Sequence, residues 1–170
     1  MSNQSNEFGE HEEGKIPGVL NLCAVTDGEV MKIEDVPDEL FSQKMIGDGF
    51  AVMPSSQEVF APVSGRLIEV ADTKHAYYIE THEGIKILIH IGIDTLLLNG
   101  EGFESFVERK MLVEKGQKLA SFDRQLLIDR GFQPVIPVII LEHDSVLSLE
   151  VHPIKEAKAN ESIALTVHLK

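Results

Sequence analysis

The fold is decided by one stretch of the sequence, Gly84-Ile85-Lys86-Ile87-Leu88-Ile89-His90-Ile91-Gly92-Ile93-Asp94-Thr95. Ile and Leu run almost without a break between two glycines, a pattern typical of a short, buried β-strand. One ionisable side chain, His90, interrupts the run. Because an apolar environment disfavours a charged imidazole, we expect His90 to be largely neutral, with one ring nitrogen free as a nucleophile or metal ligand. The ordinary alternative is a core histidine whose ring bonds a backbone carbonyl.

The rest of the chain repeats this kind of pattern. Short apolar runs separated by turn residues occupy residues 19–25, 28–33, 49–53, 59–62, 66–70, 76–80, 118–122, 135–141 and 162–169. Such spacing predicts an all-β fold, an antiparallel β-sandwich or flattened barrel. Residues 24–30 and 61–67 resemble each other, as a duplicated β motif of the hybrid type would require. We expect one or two short helical turns, with residues 35–46, 103–107 and 123–130 as candidates.

Length, composition and charge narrow the class of protein. The 170 residues are 43% hydrophobic and 25% charged, which predicts a soluble globular protein with one domain over residues 16–170. Residues 1–15 are polar and acidic and are predicted to form a disordered tail. The net charge of −13 argues against nucleic acid and anionic membranes as partners, and no apolar run is long enough for membrane insertion. A single cysteine, Cys23, excludes an internal disulfide framework and favours a cytoplasmic location.

A second histidine, His75, begins the strand that precedes the one bearing His90. A turn at His82 to Gly84 would join these strands in an antiparallel hairpin and make the two histidines cross-strand neighbours, with Thr73 placed to orient the His75 ring. Two converging imidazoles can bind a metal, relay a proton or hold a phosphoryl group. The spacing of His90 and Asp94 matches half of the ligand pattern of lysostaphin-like zinc peptidases, but the H-x-H half is absent from the sequence.

Several blocks of sequence in one order resemble a known family. They include Thr73-Lys74-His75-Ala76 and Leu88-Ile89-His90-Ile91-Gly92-Ile93-Asp94-Thr95, and further blocks lie at residues 33–38, 44–51, 61–65, 98–103, 116–119 and 122–123. From about residue 20 onward, the chain resembles the glucose-type IIA domain of the bacterial phosphoenolpyruvate-dependent sugar phosphotransferase system. The resemblance implies a flattened antiparallel β-sandwich that acts as a phosphocarrier.

The resemblance also implies roles for individual residues. The equivalent of His90 accepts a phosphoryl group from the carrier protein HPr and passes it to a cysteine of a IIB domain during sugar uptake. The equivalent of His75 stabilises the phosphoryl group, and the equivalents of Thr73 and Asp94 belong to the surrounding site. For His90 itself we predict attack through Nε2, with Nδ1–H held by a backbone carbonyl such as that of Gly92.

An apolar rim around the histidines would exclude water and dock HPr. The side chains predicted to form it are Phe41, Met45, Ile46 and Leu88, of which Ile46 and Leu88 fit a place in the core equally well. We expect no metal and no cofactor, although His75 and His90 could share a zinc ion with a carboxylate from a partner. A regulatory binding protein on the same fold, whose phosphorylation state controls transporters or enzymes, is the alternative function.

Overall fold

The computed structural model describes residues 18–170, which form three antiparallel sheets. The strands are β1 (Val19–Cys23), β2 (Gly28–Lys32), β3 (Gly47–Pro54), β4 (Glu58–Phe60), β5 (Gly65–Val70), β6 (Ala76–Glu80), β7 (Lys86–His90), β8 (Phe103–Ser105), β9 (Leu112–Val113), β10 (Lys118–Phe122), β11 (Ile136–Leu141), β12 (Val146–Val151), β13 (Ile154–Ala157) and β14 (Ile163–Leu169). Two short α-helices lie within residues 18–170, α1 (Glu39–Ser42) and α2 (Arg124–Asp129). Turns of 3-10 helix span Ile33–Asp35 and Thr95–Leu98. The predicted tail at residues 1–15 and the domain boundary at residue 16 lie outside the described residues.

The largest sheet contains eight strands in the order β13-β2-β3-β11-β7-β6-β5-β9. Two three-stranded sheets complete the fold, in the orders β1-β14-β12 and β4-β10-β8. Every paired strand is antiparallel to its neighbour. The predicted all-β antiparallel architecture with short helical turns is therefore confirmed.

Strand β7 lies inside the large sheet between β6 and β11, and both of its faces are buried. Ile87 and Ile89 point into the main core between the sheets. Leu88 belongs to a second, smaller apolar cluster on the opposite face of the sheet. Because side chains alternate along a strand, His90 shares the face of Leu88 and lies beside this smaller cluster. Because of this alternation of side chains along β7, His90 lies on the face of the sheet opposite the main core.

The short helices agree with the sequence analysis in two of three places. Helix α1 lies within the predicted segment 35–46, and α2 lies within 123–130. Asp123 caps α2, because its carboxylate accepts a hydrogen bond from the backbone N–H of Leu126 at 3.0 Å. The third prediction, a helical turn at residues 103–107, is wrong. Strand β8 begins there at Phe103 and pairs with β10, so a tertiary contact overrides the local preference. No helix in residues 18–170 is long and apolar enough to cross a bilayer.

Candidate functional site

The β6–β7 hairpin brings the two histidines together. Ala76 pairs with His90 across the hairpin, and His75 precedes Ala76 at the start of β6. The backbone N–H of Ile91 donates to the carbonyl of His75 at 2.7 Å, which extends the pairing past the end of both strands. The two imidazole rings lie 4.9 Å apart between centroids, in an edge-to-face arrangement with an interplanar angle of 81°. The predicted juxtaposition of His75 and His90 is present.

The His90 ring is oriented by its own turn. Its Nδ1 lies 2.7 Å from the carbonyl oxygen of Gly92. A carbonyl only accepts hydrogen bonds, so Nδ1 carries the proton and Nε2 keeps a free lone pair. Gly92 has a φ of +81°, a left-handed conformation that favours glycine. The sequence prediction of a hydrogen bond from His90 to Gly92 therefore agrees with the structure.

The His75 ring is oriented in a similar way from a different residue. The hydroxyl oxygen of Thr73 lies 2.7 Å from His75 Nδ1. Since Nδ1 is engaged by this hydroxyl, Nε2 is the ring nitrogen that remains for a ligand. Each of the two histidines thus has its Nδ1 engaged by a residue two positions away in the chain.

Burial keeps both imidazoles neutral. Desolvation lowers the pKa of His75 to about 4, and repulsion from His90 contributes in the same direction. Desolvation also lowers the pKa of His90. Three smaller effects oppose that shift, namely the hydrogen bond to Gly92 and the carboxylates of Asp38 and Asp94. Near neutral pH, the site consequently contains two uncharged imidazole rings, and the carboxylates of Asp38 and Asp94 lie close enough to act on His90.

The predicted rim divides into exposed and buried members. Met45 is 68% exposed, and Ile46 is half-buried. Phe41 is only 4% exposed, and its ring packs 5.4 Å from that of His90. Leu88 is 2% exposed and belongs to the smaller apolar cluster. The prediction of an exposed rim is therefore wrong for Phe41 and Leu88, because both side chains pack in the smaller apolar cluster on this face of the sheet.

Sequence reasoning missed several neighbours of this site. Asp38 acts electrostatically on His90, although the two residues are far apart in the sequence. Leu96 and Leu97 are exposed on the 3-10 turn that starts directly after Asp94. Two adjacent apolar residues after a functional loop are a signal for partner surface that the sequence did contain. Together with Met45, these leucines supply exposed apolar surface.

The site does not resemble a complete metal centre. Within residues 18–170, no three or more His, Cys, Asp or Glu side chains are grouped so that they could hold a metal ion. Asp94 adopts a left-handed conformation with a φ of +62°. The described residues therefore lack the ligand set that the zinc peptidase alternative requires.

Comparison with known proteins places this site in a family. The family model for the phosphoenolpyruvate-dependent sugar phosphotransferase system, EIIA 1, matches residues 20–146, which include both histidines and their orienting groups. The chain belongs to this family. It is thus a component of the sugar phosphotransferase system, and the resemblance seen in the sequence is confirmed.

Individual EIIA proteins resemble the chain over most of its length. The structure of glucose permease IIA from Mycoplasma capricolum superposes with a TM-score of 0.82 at 38% identity, covering 86% of this chain and 95% of that one. The glucose-specific EIIA component of Borreliella burgdorferi is 40% identical over 136 residues, 80% of this chain and 72% of the relative. The glucose-specific EIICBA component of Staphylococcus saprophyticus is 40% identical over 144 residues, which are 85% of this chain but 21% of that longer protein.

Proposed function

We propose that this EIIA protein carries a phosphoryl group on His90, received from phospho-HPr and delivered to a cysteine of a IIB domain during sugar uptake. One observation carries the proposal. His90 presents a free Nε2 beside a second neutral imidazole, while its Nδ1–H is fixed on the Gly92 carbonyl at 2.7 Å. A neutral imidazole is the nucleophilic form, so the ring needs no further activation at neutral pH.

The transfer of the phosphoryl group between two imidazoles conserves atoms, electrons and protons without a cofactor. The lone pair of His90 Nε2 forms the new N–P bond as the N–P bond of the donor phosphohistidine breaks. The electron pair of the broken bond returns to the donor imidazole, which becomes neutral. His90 keeps its Nδ1 proton, so its ring gains positive charge as the phosphoryl group arrives. The Gly92 carbonyl stabilises that charge through a strengthened hydrogen bond.

His75 acts on the phosphoryl group rather than as its acceptor. Its Nδ1 lies 2.7 Å from the Thr73 hydroxyl, which leaves Nε2 available on a ring whose centroid lies 4.9 Å from that of His90. We propose that the Thr73 hydroxyl donates to His75 Nδ1, so that the neutral ring carries its proton on Nε2 and donates it in a hydrogen bond to a phosphoryl oxygen. Phosphoryl transfer depends on such positioning and charge stabilisation more than on covalent help.

The charge and apolar surface around the histidines are complementary to a phosphoryl donor protein whose own surface is basic and partly apolar. Asp38 and Asp94 give the site negative charge, and Met45, Leu96 and Leu97 expose apolar area around it. Apolar surface next to a reactive group usually marks a partner contact, and it also limits access of water to the phosphohistidine. We propose that both HPr and the IIB domain dock on this surface. The EIICBA relative is itself a longer protein of which this chain covers 21%.

We also propose a cytoplasmic location and a reaction without a resident metal. The buried free thiol of Cys23 suits a reducing compartment. Zinc would bind at His75 and His90 only when a partner adds a carboxylate, because two imidazoles fall short of the usual four ligands. Equilibrium dialysis with zinc, with and without a partner protein, tests this, and tight zinc binding by the chain alone would contradict it.

Phosphorylation from phosphoenolpyruvate tests the main proposal. The chain is incubated with phosphoenolpyruvate, enzyme I and HPr, and intact mass is used to detect one acid-labile phosphoryl group. We expect uptake in the wild type and in His75→Gln, and none in His90→Gln. His168→Gln, on strand β14, serves as the matched control and should accept the group normally. His75→Gln should then fail to pass the group on to a IIB cysteine. No uptake in the wild type would overturn the carrier role and leave regulatory binding as the leading function.

A further inference from the structure

Thr95 is a fully buried polar residue at the end of the His90 turn. Its side chain has no solvent exposure, and its hydroxyl donates to the carbonyl of Ile91 at 2.6 Å. The same turn contains Gly92, whose carbonyl accepts the proton of His90 Nδ1. A buried hydroxyl that bonds a carbonyl four residues back holds the turn closed across its base. The Thr95 hydroxyl bonds Ile91, whereas the His90 ring bonds Gly92.

Both peptide planes that flank Gly92 are held at both ends. In the plane between Ile91 and Gly92, the carbonyl accepts from Thr95, and the N–H donates to Val135 at 3.1 Å. In the plane between Gly92 and Ile93, the carbonyl accepts from His90, and the N–H donates to a carbonyl of the segment before β11 at 3.0 Å. Because a peptide unit is planar, the hydrogen bonds at its two ends together set its orientation, and loss of either bond weakens the restraint on the whole plane and on the residue that it joins.

The methyl group of Thr95 packs against the Cα of Gly92. A Cβ placed on Gly92 would lie 2.5 Å from Thr95 Cγ2, so the side chain packs directly against the glycine. Glycine is the residue whose backbone most easily changes its φ and ψ, and such a change would turn its carbonyl away from His90. The hydroxyl of Thr95 restrains one plane, and its methyl group limits the space into which the glycine could move.

We propose that Thr95 is a positioning residue for phosphoryl transfer, which acts by holding the Ile91–Gly92 peptide so that the Gly92 carbonyl stays aimed at His90 Nδ1. The inference rests on the proposed function, since it presumes that His90 is the acceptor. Its consequence is that the hydroxyl of Thr95 keeps the Nδ1–H form of His90 populated. That form presents Nε2 as the nucleophile.

A matched pair of substitutions separates the hydroxyl from the methyl group. Thr95→Val keeps nearly the same shape and the methyl group but loses the hydrogen bond to Ile91. Thr95→Ser keeps the hydroxyl and loses the methyl group. We expect Thr95→Val to lower kcat for phosphorylation by phospho-HPr roughly ten- to hundredfold, as misplacement of a reacting group does, with a much smaller change in KM because the buried Thr95 side chain does not belong to the exposed docking side chains. Thr95→Ser should stay within about threefold of the wild-type kcat, since it restores the bond that positions Gly92.

The ¹⁵N chemical shifts of the His90 ring provide a readout that does not depend on turnover. The unphosphorylated wild type should show the Nδ1–H tautomer, and so should Thr95→Ser. Thr95→Val should shift toward a mixture with the Nε2–H tautomer, while the His75 signals, governed by Thr73, stay in place. Wild-type kcat and an unchanged tautomer in folded Thr95→Val would overturn the proposal. If Thr95→Val does not fold, Thr95→Ala replaces it, and failure of both to fold would assign Thr95 to the stability of the fold instead.

The failure of the proposed function would look different. If the wild type takes up no phosphoryl group, the carrier role falls, whatever the tautomer of His90 in the variants. If the wild type is phosphorylated on His90 but Thr95→Val matches it in kcat and tautomer, only the role of Thr95 falls.

Discussion

Acidification should destabilise the folded protein through His75. The side chain is 6% exposed, and burial lowers its pKa from 6.5 to about 4. Between these two values, His75 is mostly protonated in the unfolded chain and mostly neutral in the folded one. The unfolded state then binds more protons, so the free energy of unfolding rises with pH in this window. The stability contributed by the neutral ring is complete above the unfolded pKa and is lost as the pH falls toward 4.

The size of the effect follows from the shift. The pKa falls from 6.5 to about 4. One pKa unit corresponds to about 1.4 kcal/mol, so the whole shift corresponds to about 3 kcal/mol. Between about pH 7.5 and about pH 4.5 most of this should be lost, or between about 2 and 3 kcal/mol of the free energy of unfolding. A loss of that size is a large fraction of the stability of an ordinary domain.

Urea denaturation at a series of pH values measures this loss. Carboxylates also titrate in the window, so the informative quantity is the difference between the wild type and His75→Gln. We expect the wild type to lose about 2 to 3 kcal/mol more than His75→Gln between the two pH values. Parallel stability curves for the wild type and His75→Gln, or titration of the His75 ring near its ordinary pKa by NMR, would refute the reasoning.

Three further perturbations test the site. Gly92→Ala places a Cβ 2.5 Å from Thr95 Cγ2 at a φ of +81°. Urea denaturation should show a loss of at least about 1 kcal/mol in the free energy of unfolding, and the rate of phosphorylation should fall sharply. A wild-type rate of phosphorylation would contradict the role of this turn. Phe41→Ala removes a buried ring that packs on His90, so we expect a loss of about 3 to 5 kcal/mol and faster hydrolysis of the phosphohistidine, followed by intact mass. Leu97→Ser changes a side chain that is 71% exposed, so unfolding should shift by less than about 0.5 kcal/mol while KM for phospho-HPr rises several-fold; a change in kcat alone would argue against docking.

The contacts of this site that could be predicted from sequence are the short-range ones. The run from Ile85 to Ile91 marks β7, and the apolar setting of His90 indicates a neutral ring. The hydrogen bond from His90 to Gly92 and the pair formed by Thr73 and His75 each span two residues. Such contacts depend on local backbone geometry, which turn residues and strand alternation already indicate.

The contacts that could not be predicted from the sequence depend on which helices and loops pack on each face of the large sheet. A strand buried on both sides reads as a continuous apolar run, so its pattern does not say which face receives a helix. The burial of Leu88 and the position of Asp38 beside His90 follow from that packing. Strands β12 and β13 lie outside the predicted apolar runs, and β13 reads Ile-Lys-Glu-Ala, which carries no apolar run of strand length.

The proposed reactivity of His90 and the predicted acid sensitivity of the fold have one physical origin. Strand alternation places the ring beside the smaller apolar cluster rather than in the main core, and the β6–β7 hairpin adds a second ring 4.9 Å away. Desolvation by this setting lowers the pKa of both rings, so protons do not compete for Nε2 at neutral pH. The same desolvation makes protonation of either ring costly in the folded state. The protein should therefore lose stability at the same acidic pH at which the neutral, nucleophilic imidazole becomes protonated. A substitution that stabilised the fold in acid by exposing His75 would also raise the pKa of that ring and admit water to the phosphohistidine.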